Sequence, residues 1–375
     1  MQRQDHPLLS PSLTTQRSIS SFHFGTPGSG QKVYIQASLH ADELPGMMTA
    51  WHLKQRLAAL EAEGRLAGEI ILVPVANPIG LDQNLNGVAL GRFELGSGQN
   101  FNRYYPAFAR QLFALLREQL GTDAAANTRL VRQHLRSMVA AIEPASELAA
   151  QRKTLMLLAC DADVVLDLHC DLDAALHLYT GTPLWPQCEP LARYTGAAAT
   201  LLAEDSGDNP FDEACSQLWW QLRDLVQEAG LDAAIDMACL SVTVELRGQA
   251  DVSHALAAQD ADALLAFLTY RGIIRGDVAP LPALVYPATP LAGSESLLAP
   301  HAGVVHYHVA PGTEVAPGQL LAEVIDPIND RVTALRANRG GMLYATDSRH
   351  YAIAGQWLAK VASAEAFKTG KLLSA

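Results

Sequence analysis

A strand–helix–strand pattern near the start of the chain limits the possible folds more than any other segment. Residues 33–39 (VYIQASL) are rich in β-branched and aromatic residues, as expected of a buried strand. Residues 47–62 place apolar side chains at helical spacing, and Gly64 marks the end of that helix. Residues 69–75 (EIILVPV) form the next predicted strand. A βαβ unit of this kind predicts an α/β fold whose mixed, mostly parallel sheet is flanked by helices.

The alternation of strands and helices continues to about residue 275. The further predicted elements are strands at 163–168, 175–179, 199–203 and 240–246 and helices at 107–118, 127–159, 212–229 and 255–271. The stretch 76–106 interrupts this order, because it is rich in Gly and Asn and shows no periodicity. Loops of that length inside a compact domain are usually functional.

Composition divides the 375 residues into four parts. Residues 1–30 are rich in Ser, Thr, Gln and Gly, and we predict a loosely held N-terminal lead-in there. Residues 31–276 are the predicted catalytic domain. Residues 277–299 are the predicted linker, since five prolines fall between 277 and 300. Residues 300–375 are the predicted second domain.

The second domain contains an internal repeat. Residues 318–324 (GQLLAEV) recur as residues 355–361 (GQWLAKV), with five of seven positions identical. Short strands and turns surround both copies. We therefore predict a small all-β domain, either a sandwich or a flattened barrel, built from two similar halves.

The overall charge limits the kinds of partner. A net charge of −12 and a pI of about 5.4 argue against nucleic acid or an anionic membrane. The five cysteines form no C-x-x-C pair, which favours reduced intracellular thiols. The chain shows neither a signal peptide at its start nor an apolar run of membrane-spanning length, so we predict a cytoplasmic protein.

Four polar residues lie at or near the ends of predicted strands. His40 and Glu43 follow the first strand, His169 follows the strand at 163–168, and Glu245 lies in the strand at 240–246. Two histidines and one carboxylate, with a fourth position left to water, are the ligands of a catalytic zinc site. The His-x-x-Glu spacing alone is weak evidence, because a single His is more often a surface or core residue.

Glu245 and Asp167 are the candidates for supporting roles. Glu245 is the candidate general acid/base, and the alternative is a salt bridge to Arg247. Asp167 should leave the same strand face as His169 and hydrogen-bond its imidazole. A cap on the following loop is an equal alternative for Asp167.

The long loop also carries candidate anion-binding residues. Arg92, Asn102 and Arg103 could grip a carboxylate, since a guanidinium forms two parallel hydrogen bonds with it. An Arg near the metal could also stabilise an oxyanion. The alternative is that these arginines are solvated loop charges.

The motifs together resemble a known family. His-x-x-Glu after a strand, N-F-N-R-Y-Y-P, D-L-H and V-E-L-R occur here in the order typical of the succinylglutamate desuccinylase/aspartoacylase family of zinc-carboxypeptidase-like hydrolases. The resemblance covers about residues 30–275. It implies one zinc ion per chain and roles for seven residues: His40, Glu43 and His169 as metal ligands, Glu245 as general acid/base, Arg92 at the oxyanion, and Asn102 and Arg103 at the substrate carboxylate.

The resemblance implies a zinc-dependent hydrolase that cleaves the amide bond of an N-acyl amino acid or similar small anionic substrate. Two features differ from the family pattern. No Lys, Arg or His lies between Arg223 and Glu245, where aspartoacylases place an Arg for the aspartate side chain, and the spacing from Arg92 to Asn102 is long. The alternatives are a zinc carboxypeptidase acting on short peptides and a non-catalytic binding protein. Association into a homo-oligomer is left open.

The C-terminal part resembles a biotinyl/lipoyl carrier domain. V-A-P-G-T-E-V-A-P-G-Q-L-L-A-E-V is the segment that carries this likeness. The modified lysine of a carrier would lie at the following hairpin tip, but residues 325–329 contain no lysine. We predict a carrier-like fold without the attachment, which shapes the active-site entrance or an oligomer contact.

Overall fold

The computed structural model describes residues 1–373. In chain order its strands are β1 Gln2–Pro7, β2 Ser18–Phe24, β3 Lys32–Ala37, β4 Glu69–Val73, β5 Asn84–Leu85, β6 Val88–Ala89, β7 Val164–Asp171, β8 Asp173–Ala174, β9 His177–Gly181, β10 Ala199–Ala203, β11 Leu240–Gly248, β12 Thr289–Pro290, β13 Ser294–Leu298, β14 Gly303–Tyr307, β15 Thr313–Val315, β16 Leu320–Asp326, β17 Arg331–Arg336, β18 Gly341–Thr346, β19 Tyr351–Ala352 and β20 Trp357–Ala362. Its α-helices are α1 Leu44–Ala62, α2 Pro78–Leu81, α3 Ala109–Leu116, α4 Ala124–Ala140, α5 Glu147–Ala159, α6 Trp185–Thr195, α7 Phe211–Glu228 and α8 His254–Tyr270.

A mixed, mostly parallel sheet forms the centre of the larger part of the molecule. Its strand order is β1-β2-β4-β3-β7-β11-β9-β10-β12. Strand β3 is parallel to both β4 and β7, and β7 is parallel to β11. Helices α3, α4, α5 and α7 pack on one face, while α1, α6 and α8 pack on the other. The predicted α/β class is confirmed. The central strands are apolar because helices cover both faces.

The loosely held lead-in predicted for residues 1–30 is wrong for most of that segment. Strands β1 and β2 pair with each other and extend the sheet antiparallel to β4. Ile19 and Phe24 are fully buried. A high content of Ser and Gln masked β2, in which Ile19 packs into the core on one face of the sheet and Phe24, five positions further on, into the core on the other face.

Two other predicted boundaries differ from the structure. Strand β7 continues past His169 to Asp171, because the neighbouring strand β11 pairs with it as far as Gly248. The predicted linker 277–299 contains β13, which pairs with β20 of the second domain, and also Thr289–Pro290, which adds an edge strand beside β10. A proline is tolerated there because an edge strand need not donate every backbone hydrogen bond.

The predicted all-β domain is confirmed. One sheet has the order β13-β20-β18-β15 and the other β17-β16-β14-β19. The repeat places β16 in one sheet and β20 in the other. Gly318 and Gly355 begin the two copies with φ of +81° and +82°, a left-handed conformation that favours glycine. The two halves of the domain thus use the same turn before equivalent strands.

Strand β8 links the two parts of the molecule, since Ala174 and Asp173 pair with Ala345 and Thr346 of β18. This pairing holds the β-domain beside the carboxyl end of the central sheet. All five cysteines are buried. Among residues 1–373, no helix has both the length and the apolar character needed to cross a bilayer.

Candidate metal centre and active-site cavity

Three candidate metal ligands converge at the carboxyl ends of neighbouring strands. His40 and Glu43 lie in the turn between β3 and α1, and His169 lies in the adjacent strand β7. The three side chains are buried, and their ligand atoms lie within 4.8 Å of one another. The two imidazole rings are 4.9 Å apart between centroids. This cluster can hold a metal ion.

The Glu43 carboxylate connects the two imidazoles. Its Oε1 is 2.9 Å from His40 Nδ1, and its Oε2 is 2.8 Å from His169 Nδ1. The backbone N–H of Cys170 donates to Oε2 as well, at 3.2 Å. Glu43 is the last residue before α1, which begins at Leu44 and has Pro45 in its first turn. One carboxylate and two Nδ1 atoms therefore face a common point.

The other ring nitrogen of each histidine lies near an acceptor oxygen. His40 Nε2 hydrogen-bonds Asn100 Oδ1 at 2.9 Å, and His169 Nε2 lies 3.0 Å from Asp167 Oδ2, an ion-pair distance without the alignment of a hydrogen bond. An acceptor at Nε2 favours the proton there and leaves the Nδ1 lone pair available to a cation. Two histidines and a carboxylate arranged in this way are a donor set that suits zinc. The residues fit the ion that the sequence predicts.

Asp167 is itself fixed from behind. Its Oδ1 accepts a 2.9 Å hydrogen bond from Gln36 Nε2, and Gln36 Oε1 accepts one of 2.8 Å from the Tyr34 hydroxyl. Asp167 and His169 are in contact as predicted, but the approach is that of an ion pair and not of the predicted hydrogen bond. The alternative, a cap on the following loop, is not what the structure shows, because Asp167 lies in the middle of β7.

The electrostatics of the cluster favour a cation. Burial, together with the Arg92 guanidinium, lowers the pKa of His40 to about 4 and keeps its imidazole neutral. Burial also lowers the pKa of His169, but the carboxylates of Asp167 and Glu43 outweigh it and raise that pKa well above its usual value. The surroundings that attract a proton to His169 equally attract a metal ion.

Glu245 lies beside the cluster on strand β11, in register with His169 of β7. Its Oε2 is buried without a hydrogen-bond partner among residues 1–373. Burial, reinforced by the negative charge of Glu43, raises the pKa of Glu245 to about 8. The alternative salt bridge to Arg247 is absent, since Arg247 Nη2 binds both oxygens of Asp260 at 2.6 and 2.7 Å.

The long loop folds over the metal ligands. The Ala41 N–H donates to Gly91 O at 3.0 Å, and a Cβ on Gly91 would overlap the backbone nitrogen of Asp42. Arg92 consequently lies at the cluster, with Nη1 3.3 Å from His40 Nδ1 and 3.5 Å from a Glu43 oxygen. The loop is thus part of the site.

Asn102 and Arg103 come from the end of the same loop. The Phe211 N–H donates to Asn102 Oδ1 at 2.8 Å, which ties the loop to the start of α7. Arg103 donates from Nη1 to the carbonyl oxygen of Asn102 at 2.7 Å. Arg103 is only 4% exposed, and burial lowers its pKa. A guanidinium so little hydrated is well suited to a carboxylate ligand.

The metal-ligand cluster, Glu245 and the loop residues that surround them line one cavity of about 460 Å³. The residues selected from the sequence that contribute to its wall are His40, Glu43, Arg92, Asn102, Arg103, His169 and Glu245. The β-domain adds Arg349, Trp357 and Lys360. A cavity of this size suits a small substrate. The structure brings the seven residues together, while their individual roles stay predictions.

Lys360 joins the β-domain to the cavity through an ion pair. Its Nζ lies 2.6 Å from Asp171 Oδ2, and its ammonium lies over the Trp357 ring at 4.3 Å.

We expect Lys360→Met to lower the free energy of unfolding by about 3 kcal/mol, because the mostly buried Asp171 carboxylate loses its counter-ion. Denaturant titration measures this change. Arg223→Met, which removes an exposed pair with Asp224, should cost no more than about 1 kcal/mol. If the two substitutions lower the free energy of unfolding equally, the Lys360–Asp171 ion pair is not a buried stabilising contact.

Sequence reasoning missed several residues of the site. Asn100 lies two positions before Asn102 in the N-F-N-R motif, and this proximity was the available signal. Nothing in the local sequence around Lys360 indicates that β20 reaches the cavity. Asp212 and Glu213 begin the predicted helix 212–229, and acidic residues are common in a first turn, so they carry no local signal of a site.

The comparisons with known proteins agree with the observed fold. The family model described as "Succinylglutamate desuccinylase/Aspartoacylase catalytic domain" matches residues 29–271. A crystal structure of a protein of that family from Shewanella amazonensis SB2B has a TM-score of 0.84 and 26% identity, covering 96% of this chain and 98% of that one. A corresponding protein from Shewanella frigidimarina NCIMB 400 has a TM-score of 0.83 and 25% identity, covering 96% of both chains.

A more distant structure shares the fold. The product-bound ectoine utilization protein EutE (DoeB) from Ruegeria pomeroyi has a TM-score of 0.66 and 19% identity, covering 96% of this chain and 93% of that one. No curated protein matches the chain.

Proposed function

The chain belongs to the succinylglutamate desuccinylase/aspartoacylase family, and on that premise we propose that it is a zinc-dependent hydrolase acting on the amide bond of an N-acyl amino acid or similar small carboxylate. The observation that carries the proposal is the placement of Glu245 beside the cluster of His40, Glu43 and His169 in one cavity. A metal-binding set next to a carboxylate with an unpaired oxygen is what metal-assisted hydrolysis requires.

His40, Glu43 and His169 would hold the zinc ion. When bound, zinc supplies Lewis acidity, which polarises a carbonyl group and lowers the pKa of water to about 7. Asn100 orients the His40 ring and Asp167 orients the His169 ring, each through a contact with the Nε2 atom of that ring. Their contribution is positional, because they contact the ligands and not the substrate.

Glu245 moves the proton. Its free Oε2 accepts a proton from the attacking water and returns it to the nitrogen of the leaving amine. The raised pKa of Glu245 suits both halves of this task, since the group must bind and release a proton near neutral pH. A nearby divalent cation would favour its ionised form.

Arg92 and Arg103 have different roles in binding the substrate. Arg92 lies against the metal cluster and donates to the oxyanion that develops on the scissile carbonyl. Arg103, which is buried at the far end of the loop, binds the substrate carboxylate and orients the amide bond. Asn102 positions Arg103 through its backbone carbonyl and anchors the loop to α7.

A substrate panel tests the proposal. Zinc-loaded protein should hydrolyse N-acetyl amino acids faster than dipeptides, because the β-domain residues Arg349 and Trp357 narrow the cavity. Preference for dipeptides would favour the carboxypeptidase alternative. Inactivity of fully metal-loaded protein across the whole panel would favour a non-catalytic binding role.

Arg103 gives a sharper prediction within that panel. We expect Arg103→Ala to lower kcat/KM by about 100-fold, chiefly through KM, because a buried charge-assisted contact with the carboxylate is lost. Arg103→Lys should retain only part of the wild-type kcat/KM, since an ammonium group cannot form two parallel hydrogen bonds with the carboxylate. Steady-state kinetics with an N-acetyl amino acid and its amide measure this. If wild-type and Arg103→Ala protein discriminate equally against the amide, Arg103 does not bind the carboxylate.

A further inference from the structure

Two acidic side chains in the cavity have no role in the chemistry described so far. Asp212 and Glu213 lie in the first turn of α7, and each is only 7% exposed. Both line the same cavity as the metal cluster. Acidic residues are common in the first turn of a helix, where the helix dipole stabilises them, but they are then usually solvated. Burial of both requires another explanation.

Glu213 is not fully satisfied by its protein partners. The neighbouring Asp212 carboxylate accepts a hydrogen bond from the Glu213 N–H and is stabilised by the charge of Arg103, but within residues 1–373 no side-chain hydrogen bond reaches it. Glu213 accepts one hydrogen bond from the Ser206 N–H at 2.8 Å, but its Oε2 is buried without a partner. The Ser206 hydroxyl, also on the cavity wall, is buried without one as well. A buried carboxylate oxygen without a hydrogen-bond partner costs free energy unless a ligand binds it.

The two acids also disfavour each other's charge. Burial raises the pKa of Asp212 to about 6, with the nearby Asp167 adding to the effect. Burial and the charge of Asp212 raise the pKa of Glu213 to about 8. The nearby charge of Arg103 does not offset the burial of the two carboxyl groups. A bound cation would stabilise both ionised forms.

The cationic side chains of the cavity either pair with other groups or do not offset the burial of the two acids. Lys360 is paired with Asp171, and Arg349 forms a tight pair with Asp347 at 2.6 Å. Arg92 lies against the metal cluster. Arg103 lowers the pKa of Asp212, yet the net shift of that pKa is still upward.

From this we infer that the cavity recognises an N-acyl amino acid whose side chain ends in an ammonium group, with Asp212 and Glu213 as its counter-ions. The inference rests on the proposed function and deepens it. Leu201 and Ala203 contribute apolar wall, against which the methylene groups of such a side chain would pack. The substrate would be an N-acyl derivative of a diamino acid of the lysine or ornithine type. The lack of any Lys, Arg or His between Arg223 and Glu245 agrees with a side chain that is not a carboxylate.

A matched substrate set tests the inference on the zinc-loaded protein. The set is Nα-acetyl-lysine, Nα-acetyl-ornithine, N-acetyl-norleucine and N-acetyl-aspartate. We expect kcat/KM for the better of the two cationic substrates to exceed that for N-acetyl-norleucine by about 100-fold, because only an ammonium group satisfies the buried acids. Glu213→Gln and Asp212→Asn should each reduce this ratio by about tenfold or more. Glu204→Gln, which changes an exposed acid outside the cavity wall, should leave the ratio unchanged.

Binding of the product amino acids gives a readout independent of hydrolysis. Calorimetry should show that lysine or ornithine binds more tightly than norleucine to wild-type protein, with the difference lost in Glu213→Gln. Hydrolysis of all N-acyl amino acids without preference for the cationic ones would overturn this inference and leave the proposed function intact. Preferential binding of lysine or ornithine without any hydrolysis would overturn the proposed function and support this inference. If the protein neither hydrolyses the N-acyl amino acids nor prefers lysine or ornithine in binding, the proposed function and this inference are both wrong.

Discussion

Glu245→Gln is expected to lower kcat by about 10³-fold while leaving the metal content unchanged. Glutamine has nearly the same shape as glutamate, so the packing of β11 should persist, but its amide cannot accept and return a proton at neutral pH. Because Glu245 is not among the clustered ligands, its replacement should not weaken metal binding. The loss should therefore appear in turnover and not in zinc stoichiometry.

The measurements for this variant are kcat with an N-acetyl amino acid, zinc per chain by elemental analysis, and the midpoint of thermal unfolding. Glu118→Gln serves as the control, since the Glu118 side chain is exposed on the surface and the substitution likewise replaces a carboxylate with an amide. A variant that binds zinc normally, unfolds at the wild-type temperature and retains full activity would show that Glu245 is not the proton carrier.

The central fold was predictable because its physical signals are local. Buried strands such as β3 and β4 appear as short apolar runs, and α1 appears between them through its helical spacing. The lead-in was mispredicted because the composition of β1 and β2 resembles that of a loop. Backbone hydrogen bonds to the next strand contribute to the stability of this pair of strands, and the composition of the segment does not reveal them.

The candidate site was predictable only in part, for a related reason. Strand topology brings the ends of neighbouring parallel strands together, so the convergence of His40 and His169 followed from the order of β3 and β7. Lys360 and the acid pair in α7 reach the cavity through packing between elements far apart in the chain. Their burial and unpaired oxygens are properties of the assembled structure and leave no mark in the local sequence.

The other large effect concerns the metal ligands. We expect His169→Ala to lose zinc binding and to reduce kcat by at least about 10³-fold, because two remaining ligands cannot hold the ion in place. Treatment of the wild-type protein with a chelator should abolish activity reversibly, and added zinc should restore it. His308 is a β-domain histidine outside the cavity wall that contacts Glu323 and the ring of His306, so the His308→Ala protein should bind zinc and turn over normally.

Thermal unfolding tests the same site without relying on activity. An ion that binds the folded state alone stabilises it by about 2.7 kcal/mol when its concentration is 100 times the dissociation constant. Wild-type protein should therefore unfold at a higher temperature with zinc than without, whereas His169→Ala should show no such shift. The metal-free variant should also be less stable than metal-free wild type, since Asp167 and Glu43 lose the imidazole that lies between them. A zinc-dependent shift of wild-type size in His169→Ala would place the ion elsewhere in the molecule.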